Sequence, residues 1–111
     1  MSNHPYVRLQ AEPPWTTENA GRLIELAKEE AKRRGTFLIL LDLRSWEQPD
    51  SEMVRYDSGV RVAELLNAPY RVAAVSNKES VNYFAENVAV NRGASLKMFA
   101  DEASALNWLL K

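Results

Sequence analysis

Apolar and polar positions run along this chain in two rhythms. The stretch Thr36–Arg44, T-F-L-I-L-L-D-L-R, is apolar without a break from Phe37 to Leu41. A run that short and continuous suits a central strand buried on both faces of a sheet. Tyr70–Ser76 reads as a second interior strand, with Val72, Ala73, Ala74 and Val75 continuous. Tyr6–Gln10 alternates weakly and reads as a short, half-buried strand near an edge, ended by Pro13. Ser95–Phe99 places Leu96 and Met98 on one face and reads as the last strand.

Helical spacing fills the intervals. Ala20, Leu23, Ile24, Ala27 and Ala31 share one face after a Thr16 or Thr17 cap. Lys32, Arg33 and Arg34 suit the negative end of that helix, and Gly35 fits a left-handed stop. A second helix runs from an Asp50 or Ser51 cap to about Leu66, with Met53, Tyr56, Val60, Ala63 and Leu66 as its expected buried stripe. Gly59 inside it costs about 1 kcal/mol relative to alanine. A third covers about Glu79 to Val88, with Val81, Phe84, Ala85 and Val88 on one face. The last is capped by Asp101 and carries Ala105, Leu106, Trp108, Leu109 and Leu110. The order β-α-β-α-β-α-β-α predicts one α/β domain over residues 1–111, a mostly parallel sheet of about four strands flanked by four helices.

Composition narrows the chemistry. Fourteen basic and fifteen acidic residues give a formal charge of −1, which argues against nucleic-acid binding. With no cysteine, thiol catalysis and Cys-based zinc sites are excluded. His4 is the only histidine, so no metal site, no cofactor and no catalytic triad is expected. No stretch approaches the roughly 20 apolar residues of a membrane span, and no signal peptide is visible, so the expectation is a cytoplasmic protein.

Ligands of open α/β sheets bind outside the carboxyl ends of the strands. Asp42, Arg44 and Ser45 follow the central strand, and Ser76, Asn77 and Lys78 follow the next. Together they can form a polar crevice for an anionic ligand. Equally, Asp42 can satisfy loop N–H groups while Arg44 pairs with a carboxylate. Trp46, in a polar loop, needs a partner for its large apolar ring: a pocket wall or a subunit contact.

The strand ending L-L-D-L-R, Val72–Ser76, and the terminal K-M-F-A-D-E-A-S-A-L-N-W-L-L together resemble the SpoIIAA-like (STAS) family of small bacterial proteins. The likeness spans about Thr16 to Leu110. STAS domains usually begin with a two-strand hairpin; here only Tyr6–Gln10 precedes Pro13. The resemblance implies a non-enzymatic regulatory module that acts on a protein partner. It also marks Ser51 as a candidate phosphosite, although Glu52 and Met53 replace the family's next two residues. The alternative is a binder of a small apolar or anionic ligand, which needs a cavity of roughly 300 Å³ or more. Apolar surface at Trp46 and Trp108-Leu109-Leu110 leads to the expectation of a homodimer.

Overall fold

The structure, a computed structural model, describes residues 5–47, 49, 51–77 and 84–111. Strands and helices alternate as β1 (Val7–Gln10), α1 (Thr17–Arg34), β2 (Leu38–Asp42), α2 (Glu52–Leu65), β3 (Arg71–Val75), α3 (Phe84–Asn91), β4 (Ser95–Phe99) and α4 (Glu102–Leu109). The four strands form one sheet in the order β1-β2-β3-β4, parallel at every pairing. The α/β class, the four strands and the four helices are those the sequence leads one to expect. His4, Asp50, Lys78 and residues 79–83 lie outside the described residues.

Each end of α1 has a local cause. The Thr16 hydroxyl accepts the Asn19 N–H at 3.0 Å, and Gly35, at φ 70°, turns the chain out of the helix. Among the described residues only Gly35 and Gly93 enter the left-handed region of the backbone, where a side chain would be strained. The buried face of α1 is Ala20, Leu23, Ile24, Ala27 and Ala31, as its spacing dictates.

Alternation along the strands splits the core in two. Val7, Ile39, Leu41, Val72, Ala74, Leu96 and Met98 face one layer, built from α1, α2 and Ala89 of α3. Leu40, Ala73 and Val75 face the other, where α4 supplies Ala105 and Leu109. The first residue of the central apolar run departs from the pattern. Phe37 precedes β2, is exposed, and meets the Tyr70 ring edge-on at 5.3 Å.

The larger departure is in α2. Its buried residues are Arg55, Ser58, Gly59, Val62 and Ala63. Met53 and Tyr56, expected inside, are exposed, and Val60 is half-buried. Ala63 and Leu66 are buried as expected. In its first half, then, α2 turns polar side chains inward and an apolar stripe outward.

The cause of the inward polarity is a stack of rings. Trp15, just before α1, lies against Trp46 with centroids 5.2 Å apart and planes 12° from parallel. The Trp15 Nε1 donates to Ser58 Oγ at 3.1 Å, and Ser58 donates to the Val54 carbonyl. The Arg55 guanidinium lies 4.8 Å from the Trp15 centroid, and its Nε donates to Glu52 at 3.0 Å. A flat aromatic face and an indole N–H make the inward side of α2 suitable for a guanidinium and a hydroxyl.

Candidate functional site

Asp42 ends β2 on the α4 side with its carboxylate buried. Its Oδ1 accepts the Arg44 backbone N–H at 3.1 Å and Arg44 Nε at 2.9 Å. Its Oδ2 accepts Arg44 Nη2 and Arg8 Nη2, both at 2.9 Å. Glu102, the first residue of α4, closes the ring by accepting from Arg8 Nε at 3.1 Å and from Arg44 Nη2 at 3.1 Å. Two guanidinium groups and two carboxylates therefore balance one another.

Register explains Arg8. It pairs with Leu40 in the parallel ladder, so its side chain shares the face on which Asp42 stands two residues further along. Hydrogen bonds from the Arg44 side chain, opposed by burial and aided by the Arg44 N–H, hold the Asp42 carboxyl down from its ordinary 3.8 to about 2. Glu102 is lowered as well, chiefly by Arg8. A general base needs a free lone pair and a pKa near working pH; Asp42 is engaged on both oxygens and ties the loop after β2.

The other strand-end residues also bond within the chain. Ser45 Oγ donates to the Ala11 carbonyl at 2.7 Å. Asn77 Nδ2 donates to the Arg44 carbonyl at 2.6 Å. Ser76 is buried, and its N–H donates to the Phe99 carbonyl. Trp46 is buried too, and its Nε1 donates to the Glu12 carbonyl at 2.8 Å. The ring contact that Trp46 requires is Trp15, within the same chain. The structure thus gathers Asp42, Arg44, Ser45 and Asn77 at one edge, as stitches between the segment after β1, the loop after β2 and the exit of β3.

The space enclosed beneath the tryptophan pair, walled by Leu23, Ile24, Leu41, Val62 and Met98, amounts to about 40 Å³. An open groove of about 410 Å³ runs beside it, lined by Pro13, Pro14, Thr16, Ser45, Glu47 and Pro49.

Ser51 occupies the cap position of α2 with extended backbone, but its side chain makes no capping hydrogen bond. Immediately after it, Met53 is 62% and Tyr56 36% exposed. Spaced by three residues, they stand side by side on the helix. Arg92, just past α3, donates from Nη2 to the Tyr56 hydroxyl at 2.8 Å. Sequence reasoning treated Met53 and Tyr56 as core, read Asn91-Arg92-Gly93 as a turn with at most a weak nucleic-acid signal, and gave no role to Arg8, Arg55 or Glu102. Arg8 and Glu102 meet across 94 residues, and Arg92 meets Tyr56 across 36. Arg55 pairs locally with Glu52, but the Trp15 ring it lies on comes from before α1. None of these long-range contacts leaves a local signal.

No family model, curated protein or solved structure matches the chain.

Proposed function

We propose that this protein is a non-enzymatic regulatory or interaction module of STAS type, which meets a protein partner through the first half of α2. The observation that carries the reading is the outward pair Met53 and Tyr56, directly after the cap residue Ser51 and followed by half-buried Val60. Large apolar side chains turned to solvent while Arg55 and Ser58 turn inward invert the usual arrangement of a surface helix. Met, Tyr and Arg are also the residue types that interfaces favour. The strand-end polar groups fit this reading as scaffold, since they hold the loop that leads into α2. Ser51 would be the regulatory position: a phosphate there meets the positive end of the helix and adds negative charge to the partner face.

The test is affinity capture from a lysate of the native host, with phosphopeptide mapping after incubation with ATP. The expected result is a partner held by the wild type and by Leu26→Asp, and lost by Met53→Asp/Tyr56→Asp. Equal capture by all three chains would remove this reading.

A second reading has one observation in its favour. The open groove of about 410 Å³ beside Thr16 and Ser45 is large enough for a small ligand. In that case native mass spectrometry of protein purified without denaturation should show a retained molecule.

A further inference from the structure

The surroundings of the stripe also select the chemistry of what it meets. Resting on the interaction reading above, we infer that the partner segment carries an acidic residue beside an apolar one, the acid seated on Arg92 and the apolar side chain on Met53. Arg8, Arg33, Arg44, Arg55 and Arg61 each pair with a carboxylate. Among the described residues Arg92 pairs with none; its guanidinium lies 5.7 Å from the Tyr56 centroid and donates to the phenol oxygen.

Burying Tyr56 under a partner would desolvate that guanidinium. An uncompensated buried charge is strongly unfavourable, and a carboxylate is the acceptor that fits its fork. Of the acids on this half of α2, Glu52 pairs with Arg55, and Asp57 is turned toward α1, where it accepts from the Thr17 hydroxyl. Arg92 is therefore the guanidinium in contact with the stripe, and among the described residues it has no carboxylate partner. Met53, flexible and polarizable, adapts to an apolar side chain of varied shape.

The experiment is selection of a random-peptide phage library on the full-length protein. The enriched sequence is then made as a labelled peptide and titrated by fluorescence anisotropy. Enriched peptides should place Asp or Glu within a residue or two of an apolar residue. Affinity should fall about tenfold or more for Arg92→Glu and for Met53→Ser, and stay unchanged for Leu26→Ser. Binders that need Met53 and Tyr56 but lack an acid, or that ignore Arg92→Glu, would overturn the acidic partner and leave the stripe standing. Binders indifferent to Met53→Ser and Tyr56→Ser, or no binder at all, would count against both. Self-association of the free protein that Met53→Ser abolishes would make a second copy the occupant and overturn the inference.

Discussion

Four nitrogen donors converge on the Asp42 carboxylate, three from Arg44 and one from Arg8. Replacing it with asparagine leaves part of that set unpaired in a buried place. Asp42→Asn is expected to lower stability by about 1–3 kcal/mol at neutral pH, measured by urea denaturation. The pH dependence has a definite sign. A carboxyl depressed from 3.8 to about 2 contributes fully above its unfolded value and loses that contribution as pH falls through about 2. The gap between wild type and variant should therefore narrow from pH 4 to pH 2. An unchanged denaturation midpoint at pH 7 would mean that Asp42 does not secure the loop. Half of this ring was legible in the sequence, because Asp42 and Arg44 are two residues apart. Arg8 and Glu102 are 94 residues apart, and only strand register and the docking of α4 bring them together.

At the scale of elements, α1 and α2 make a useful contrast. In α1 the apolar periodicity has one solution, and the helix adopts it. In α2 it has two. Met53, Tyr56, Val60 and Ala63 fit helical spacing as well as the face that is buried, which lies about one residue's rotation away. The second half of the helix, through Val62, Ala63 and Leu66, decides for the sheet. The first half then presents Arg55 and Ser58 to the tryptophan pair. No periodicity rule can foresee that choice, because it depends on rings supplied by residues 15 and 46. Substitutions should separate the two orientations. Leu66→Ala, at a fully buried position, should cost about 2–5 kcal/mol. Met53→Ser should stay within about 0.5 kcal/mol, as exposed positions do. Tyr56→Ser, which also gives up the Arg92 hydrogen bond, should stay within about 1.5 kcal/mol. Large losses at Met53 and Tyr56 would return the stripe to the core.

For the molecule as a whole, the strand order is the simplest possible. Doubly wound sheets bind ligands at the crevice where strand order reverses. In this sheet, neighbours in sequence are neighbours in space throughout, so the described strands form no such crevice. Right at that edge, the polar residues marked from the sequence bond to one another. The expected homodimer loses part of its motive as well, since Trp46 and Leu109 are buried within one chain while Leu110 stays exposed. Met53 and Tyr56 of α2 are turned outward with Arg92 beside them. The other large exposed apolar side chains among the described residues, Leu26, Phe37, Val90 and Leu110, stand elsewhere on the chain. The role of the α2 stripe can be read most directly by photo-crosslinking in the native host, with a benzophenone amino acid placed in turn at Met53, Leu26 and Leu110, all exposed. A covalent adduct with another protein at Met53, absent at Leu26 and Leu110, is the expected result. Adducts absent at Met53, or equal at all three positions, would contradict an interaction face on α2.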